Sequence, residues 1–131
     1  MPFIRITVLA PTLSAEQIHR LQQGTTDLMT SVMRKPLEGT SVLVEQVQGG
    51  WSIAGAPVQV GAQVDATIGS ATNTVEEKAQ FITKMMQLLR DVLGPELRDE
   101  TYIAFHEFNH DSYGRGGLTR TERIRRRAAA A

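Results

Sequence analysis

An internal repeat constrains this chain more than any other feature of its sequence. Three pairs of matching positions are each separated by 62 residues: Glu45 and Glu107, Trp51 and Tyr113, Gly55 and Gly117. Around them the same order of patterns occurs twice: strand, capped helix, strand and glycine-rich turn. The sequence therefore predicts two β-α-β units, at about 2–58 and 59–119, with a basic C-terminal tail at 120–127 that we interpret as solvated. Because lone units of about 60 residues are marginally stable, we expect both to share one core in a single domain over 1–131.

The first unit is predicted from the spacing of its apolar residues. Residues 2–9 alternate as a strand, and Ser14 opens a capping-box pattern that starts a helix. We expect this helix to end by about residue 35, because Pro36 disfavours helical backbone just before it. The run 42–44 predicts a second strand, and the glycine-rich run 49–55 predicts a turn or small hairpin.

The second unit repeats these patterns. Residues 62–68 alternate as a strand with one buried face, and Thr74 opens a second capping box. The helix that follows is expected to end at Gly94 and to bury one stripe of apolar residues. The members of that stripe are Val75, Ala79, Ile82, Met85, Met86, Leu89 and Val92. A further strand is predicted over 102–108, and a second glycine-rich turn over 113–117.

This order of elements predicts an α/β (α+β) fold. A strand, helix and strand in succession imply a parallel pair of strands with a right-handed crossover in each unit. Two such units can form a four-stranded sheet with both helices on one face. The other face of the sheet would stay uncovered, and an uncovered face predicts oligomerisation.

The composition excludes several classes of function. The chain has 14 Lys+Arg and 14 Asp+Glu, and this zero net charge argues against nucleic acid or an anionic membrane as the main partner. Without cysteine, no disulfide or thiolate metal site can form. The three histidines lack metal-ligand spacing, so we expect neither a metal nor a cofactor. No apolar run reaches the roughly 18 residues of a membrane span, and no signal-peptide pattern occurs, so a cytoplasmic protein is expected.

Pro2 is the residue with the clearest chemical potential. Methionine aminopeptidases generally remove Met1 when proline follows, which would leave Pro2 with a free secondary amine. The ordinary pKa of an α-amino group is about 7.7–8.0, and burial lowers that pKa by disfavouring the ammonium form. A neutral amine can act as a general base. Taken alone, a proline at this position is also consistent with the start of an edge strand.

A proline that heads a short strand, followed by a capped helix, a second strand and a glycine hairpin, resembles the tautomerase superfamily, typified by 4-oxalocrotonate tautomerase. The segments that carry the resemblance are Pro2-Phe3-Ile4, Val42-Leu43-Val44-Glu45, Gly50-Trp51-Ser52-Ile53-Ala54-Gly55, Ala104-Phe105-His106-Glu107 and Tyr113-Gly114-Arg115-Gly116-Gly117. The length is similar to that of the fused 4-oxalocrotonate tautomerases, malonate semialdehyde decarboxylase and cis-3-chloroacrylic acid dehalogenase. The resemblance implies a fold like that of the tautomerases and of macrophage migration inhibitory factor (MIF), assembled as a homotrimer.

The resemblance also implies cofactor-free proton transfer on a small 2-oxo acid or its enol, with Pro2 as the general base. A cation would hold the carboxylate and the developing enolate of the substrate. Trp51 or Tyr113, both in the glycine-rich turns, would help to keep the pocket apolar. His106, on the last predicted strand, is a candidate second acid or base.

The sequence departs from the family at the arginines that usually bind substrate carboxylates. Their expected places read Ala10-Pro11-Thr12-Leu13, Thr40-Ser41 and Ser70-Ala71-Thr72-Asn73. We therefore expect a monocarboxylate or aryl 2-oxo acid as the substrate, with Arg115 or Arg5 as the replacement cation.

Two other functions remain open. Pro2 could act as an acid in a hydratase or dehalogenase of unsaturated acids, although the missing arginine pair disfavours this reaction. The chain could instead be a non-catalytic trimeric binding protein that uses Arg115 and the basic tail as its contact surface. An enzyme of either kind would have one Pro2 site per chain, because the second unit begins without a free amine.

Overall fold

A computed structural model describes residues 2–131. Its strands are β1 Phe3–Leu9, β2 Ser41–Gln46, β3 Ser52–Ile53, β4 Ala56–Pro57, β5 Gly61–Gly69, β6 Tyr102–Phe108, β7 Gly114–Arg115 and β8 Leu118–Thr119. Its α-helices are α1 Ala15–Ser31, α2 Val75–Leu93 and α3 Arg120–Ala130, and a 3-10 turn spans Leu37–Gly39. The predicted order of elements is confirmed, whereas the boundary between the two units stays a prediction.

The main sheet has four strands in the order β2-β1-β5-β6. β1 is parallel to β2, β5 is parallel to β6, and the two central strands run antiparallel to each other. The core lies between one face of this sheet and the helices α1 and α2, which also pack on each other. The strand residues that are fully buried there alternate along β1 and β5: Ile4, Ile6, Val8, Val64, Ala66 and Ile68. The predicted four-stranded α+β architecture is confirmed.

Both predicted capping boxes form. The side chain of Ser14 accepts a hydrogen bond from the N–H of Gln17, whose own side chain accepts from the N–H of Ser14. Thr74 and Glu77 make the same reciprocal pair at the start of α2. These bonds satisfy backbone donors that the first helical turn leaves free, so each helix begins where the sequence predicts.

Both predicted glycine turns are two-stranded hairpins. Strand β3 pairs with β4, and β7 pairs with β8, at positions 62 residues apart. Each hairpin turns through two residues with positive φ, which are Ala54 and Gly55 in the first and Gly116 and Gly117 in the second. Two such residues match the twist of a tight hairpin, which explains the glycines.

The end of α1 differs from the prediction. The helix ends at Ser31 rather than near residue 35, so Pro36 does not terminate it. Arg34 instead adopts a left-handed conformation with φ of 58°. The N–H of Lys35 then donates to the carbonyl of Met29 at 2.9 Å and closes the end of the helix.

The buried face of α2 also differs from the prediction. Phe81, absent from the expected stripe, is fully buried and packs against Phe105 of β6 with 5.3 Å between ring centroids. Val75 and Ile82, which were expected to be buried, are 75% and 39% exposed. The apolar residues of α2 occupy two adjacent stripes, and the sheet covers only the one that runs through Phe81, Met85 and Leu89.

The segment predicted as a solvated basic tail forms most of helix α3. The side chain of Thr119 caps it by accepting from the N–H of Glu122 at 3.0 Å, and the helix buries none of its residues. No helix within residues 2–131 combines the length and apolar character that crossing a bilayer requires.

The second face of the sheet carries no helix. An ion pair of Arg5 with Glu45 at 3.5 Å and a hydrogen bond between Asp65 and His106 at 2.8 Å lie on it. The face also exposes apolar surface, including 72% of Tyr102 on the edge strand β6. A face of this mixed character can contact another chain as well as solvent.

Replacing Phe81 by alanine tests the corrected face of α2. We expect Phe81→Ala to lower the free energy of unfolding by about 3–5 kcal/mol, because it leaves a cavity against Phe105. The matched control is Ile82→Ala, at the neighbouring and partly exposed position, which should cost much less. Urea unfolding of both variants measures the difference, and equal losses would contradict this account of the core.

Candidate active site

Pro2 lies at the start of the central strand β1. It is buried, and its carbonyl accepts a hydrogen bond from the N–H of Ser41 at 3.1 Å. The antiparallel register of β1 and β5 pairs Phe3 with Thr67, so the next position places Pro2 beside Ile68. Met1 lies outside the described residues, and its removal stays a prediction.

A cavity of about 370 Å³ opens at this end of the sheet. Ile68, the neighbour of Pro2 in the register, and Gly69 line it together with the end of α1, the second hairpin and α3. Its apolar wall also includes Met33, Pro36 and Leu118. Its charged lining consists of six basic residues and no acidic one: Arg34, Lys35, Arg115, Arg120, Arg123 and Arg127. A cavity lined in this way favours an anionic ligand.

Arg34 holds the end of α1 against the start of α2. Its guanidinium donates to both carboxylate oxygens of Glu77, at 2.5 and 3.1 Å, and to the carbonyl of Thr72 at 3.0 Å. The hydrogen bonds from Arg34 and from the N–H of Thr74 lower the pKa of Glu77 to about 2. Since this carboxylate already neutralises Arg34, we regard Arg34 as a structural residue that fixes the position of Lys35.

Lys35 is half-buried at the edge of the cavity. Its ammonium donates to the hydroxyl of Thr72 at 2.8 Å, and that hydroxyl donates to the carbonyl of Gly69 at 2.7 Å. Burial lowers the pKa of Lys35 below its usual value, and the charges of Arg34 and Arg120 lower it further. These two arginines therefore lie near enough to repel Lys35, and an anion beside its ammonium would relieve that repulsion.

The second hairpin brings Tyr113 and Arg115 to the same cavity. The hydroxyl of Tyr113 approaches Gly69 so closely that a Cβ at residue 69 would lie 2.5 Å from it. His110 packs edge-on against the Tyr113 ring, and its buried Nε2 has no hydrogen-bond partner in the described part of the chain. Residue 69 is therefore a glycine because any Cβ there would collide with the side chains of Tyr113 and His110.

The structure brings together some of the predicted site residues and separates others. Tyr113 and Arg115 line the cavity that Ile68, the register neighbour of Pro2, also lines, whereas Pro2 itself is not one of its lining residues. Trp51 packs on Gly61 and lines a different cavity, of about 600 Å³ and without charged residues, at the other end of β1. A strand of seven residues separates the two ends by roughly 20 Å.

Arg5 and His106 do not line the cavity either. Both project from the uncovered face of the sheet, where they pair with Glu45 and Asp65. In a single chain, neither residue is placed to contact a molecule beside Pro2. The roles predicted for Arg5 as a substrate-binding cation, for His106 as a second acid or base and for Trp51 as an apolar wall therefore stay predictions, and they require a neighbouring chain.

Several basic residues of the cavity were not among the sequence-based candidates. The sequence carries no signal for Lys35, because its position depends on the left-handed turn at Arg34 that follows α1. The arginines at positions 120, 123 and 127 do carry a signal, since their spacing of three and then four residues places them on one side of a helix. The prediction of a solvated tail at 120–127 took account of the charge of this run but not of its helical spacing.

Comparisons with known proteins agree with this architecture. Residues 2–60 match the Tautomerase family, described as tautomerase enzyme. No curated protein matches the sequence significantly. Among solved structures, the chain is similar to Pt0534 inactivated by 2-oxo-3-pentynoate, with a TM-score of 0.80 at 21% identity over 91% of this chain and 97% of that one.

Two further structures represent different branches of the same fold. A fused 4-OT, in an asymmetric trimer, gives a TM-score of 0.77 at 18% identity and covers 91% of this chain and 96% of its own. A member of the cis-3-chloroacrylic acid dehalogenase family gives 0.77 at 17% identity and covers 89% and 82%. The family match thus covers the first of the two units, and the chain as a whole shares the fold of these solved structures.

Proposed function

We propose that this protein is a cofactor-independent keto–enol tautomerase of small 2-oxo acids, with Pro2 as general base once Met1 has been removed. The observation that carries the proposal is the position of Pro2, which is buried next to the cavity lined by six basic residues and no acidic one. A base beside concentrated positive charge suits the removal of a proton from an anionic acid. The match to the tautomerase family over residues 2–60 supports this reaction class.

The residues of the cavity can stabilise the two negative charges of the reaction, which are the substrate carboxylate and the developing enolate oxygen. In ketonisation, the Pro2 amine takes the proton of the enol hydroxyl, and the resulting ammonium returns that proton to the neighbouring carbon of the substrate. Lys35 and Arg115 would bind the carboxylate and stabilise the negative charge that develops on the oxygen. Tyr113, together with Met33 and Ile68, would limit the access of water to the reacting atoms.

The second candidate is hydration or hydrolytic dehalogenation of an unsaturated acid, with Pro2 as the acid. The absence of arginines from their expected places argued against it, but α3 and the second hairpin supply four arginines from other places. The similarity in fold to a member of the cis-3-chloroacrylic acid dehalogenase family also supports this reaction as a second candidate. Release of chloride from 3-chloroacrylate, without ketonisation of an enol acid, would favour it over the tautomerase.

Covalent labelling tests the role of Pro2. Addition of the amine to 2-oxo-3-pentynoate forms a bond from nitrogen to the distal alkyne carbon, breaks one π bond and moves a proton to the adjacent carbon. The protein should therefore gain the mass of one whole reagent per chain, on a peptide that begins at Pro2. A variant with an N-terminal extension is the control, because its Pro2 nitrogen is a tertiary amide and should not react.

The same preparations should be assayed for ketonisation of phenylenolpyruvate, after intact mass has established the N-terminus. We expect Pro2→Ala to lower kcat/KM by about 100-fold or more, the usual contribution of a positioned general base. Equal rates for wild type and Pro2→Ala, or labelling of the extended chain, would refute the assignment. A wild type without turnover or labelling would favour the non-catalytic binding protein.

We also propose that the chain forms a homotrimer through the uncovered face of the sheet. The fused 4-OT that it resembles in fold is a trimer, and the exposed Tyr102 and Leu43 supply apolar surface on this face. A trimer could also bring Trp51 of one chain near Pro2 of another.

Light scattering coupled to size-exclusion chromatography tests the assembly. We expect a mass of about three chains, each of 14.4 kDa. The variant Tyr102→Glu adds a charge at an exposed position and should shift the distribution towards monomers, whereas Ile82→Glu, on the exposed side of α2, should not. A wild type that stays monomeric at micromolar concentration would contradict the proposal.

A further inference from the structure

A single hydroxyl group holds the ammonium of Lys35. No carboxylate lies within 4 Å of this ammonium in residues 2–131. Within the same residues, its side-chain hydrogen bond goes to the hydroxyl of Thr72 at 2.8 Å. Burying a charge is costly unless hydrogen bonds replace the lost water. The Thr72 hydroxyl is therefore an important stabiliser of this half-buried cation.

The hydrogen bonds of Thr72 determine that its hydroxyl oxygen accepts from the lysine. A hydroxyl has only one proton to donate. The carbonyl of Gly69, at 2.7 Å, is a nearer acceptor for that proton than the side-chain oxygen of Asn73, at 3.3 Å. With its proton directed to Gly69, the oxygen of Thr72 is left to accept from Lys35. A hydrogen bond of this kind favours the charged form of the lysine.

Thr72 is itself held in the turn between β5 and α2. Its carbonyl accepts a hydrogen bond from the guanidinium of Arg34 at 3.0 Å. The side chain of the next residue, Asn73, donates to the carbonyl of Met33 at 2.9 Å. Both bonds join this turn to the segment that follows α1, so the Thr72 hydroxyl keeps its position relative to Lys35.

The same hydroxyl connects Lys35 to the strand beside Pro2. Gly69, whose carbonyl accepts from Thr72, is the last residue of β5. It follows Ile68, the register neighbour of Pro2. Thr72 therefore links the proposed cation to the part of the sheet that carries the proposed base. Removing the hydroxyl would break this link and leave the backbone hydrogen bonds of the turn in place.

We propose that Thr72 is a positioning residue whose hydroxyl holds the ammonium of Lys35 at the edge of the cavity, where a substrate carboxylate can contact it. Thr72 acts through Lys35 and needs no contact of its own with the reacting atoms. The use of Lys35 to bind a carboxylate rests on the proposed function. Its attachment to Thr72 rests on the contacts of the chain alone.

Four charged groups also act on Lys35. Burial, the largest cause, lowers the pKa of Lys35. Arg34, after α1, and Arg120, in α3, lower that pKa further, whereas Glu77, in α2, and Glu107, in β6, raise it. A substitution that removes only the hydroxyl leaves all four in place, so the change in pKa that it causes reports the hydrogen bond. The remaining basic residues that line the cavity are Arg115, Arg123 and Arg127.

NMR titration of the lysine side chains tests this attachment without any ligand. The chain has three lysines, so protein labelled with ¹³C at the lysine ε-carbon gives few resonances, and Lys35→Met assigns that of Lys35. We expect Thr72→Val, which keeps the shape of the side chain but lacks the hydroxyl, to lower the pKa of Lys35. Thr72→Ser retains the hydroxyl and should restore the wild-type pKa. Lys78 and Lys84 are internal controls, whose titration curves should be the same in all these proteins.

Isothermal titration with benzoylformate tests the consequence for ligand binding. This 2-oxo acid cannot enolise, so it binds without reacting. We expect Thr72→Val to bind it about tenfold more weakly than the wild type, and Thr72→Ser to stay within about threefold. In a Lys35→Met background, Thr72→Val should cause no further loss, because a residue that acts through Lys35 then has nothing to position. Circular dichroism checks that each variant folds.

Two results would overturn the positioning role. One is a pKa of Lys35 that stays the same or rises in Thr72→Val. The other is an equal loss of affinity from Thr72→Val in the wild-type and Lys35→Met backgrounds. Failure of the proposed function gives different results, which are a wild type that does not bind benzoylformate or a Pro2→Ala variant that turns over enols as fast as the wild type. In either of those cases the NMR titration still decides whether Thr72 holds Lys35.

Discussion

The pairing of β1 between β2 and β5 is the constraint on which the rest of this structure depends. It buries Ile4, Ile6 and Val8 beneath the helices and thereby fixes the register of the strand. A slip by one residue would turn these side chains to the uncovered face. Because the register is fixed, Pro2, the residue before β1, follows the pair of Phe3 with Thr67 and comes next to Ile68, which lines the basic cavity.

Electrostatics then distinguishes one end of the sheet from the other. The chain is neutral overall, yet positive charge without a carboxylate partner gathers around Pro2, and the cavity at Trp51 has no charged lining. The two ends correspond in the repeat but differ in chemistry. The duplicated chain therefore has one end with a basic cavity and one end with an uncharged cavity.

Much of the fold is predictable because it is encoded locally. Alternation predicts β1 and β5, and Ser14 and Thr74 predict the starts of α1 and α2, since each of these signals spans only a few residues. Gly55 and the pair Gly116-Gly117 likewise predict the two hairpins, because positive φ disfavours most other residues.

The candidate site is less predictable because distant residues define it. Lys35 reaches the cavity because Arg34, which follows the end of α1, adopts a left-handed conformation and is held by Glu77, 43 residues away in the chain. The buried side of α2 depends on Phe105 in another strand, so the helical pattern alone could not select Phe81. The arginines of α3 show their spacing in the sequence, but only the second hairpin determines what they face.

The central claim is that Pro2 presents a neutral amine to a strongly basic cavity. Titration of the Pro2 nitrogen by ¹⁵N NMR, in protein labelled at proline and shown by mass to lack Met1, measures this directly. Burial and the neighbouring cations both disfavour the ammonium form, so we expect a pKa clearly below the usual range of about 7.7–8.0 for an α-amino group. A pKa within or above that range would contradict the account.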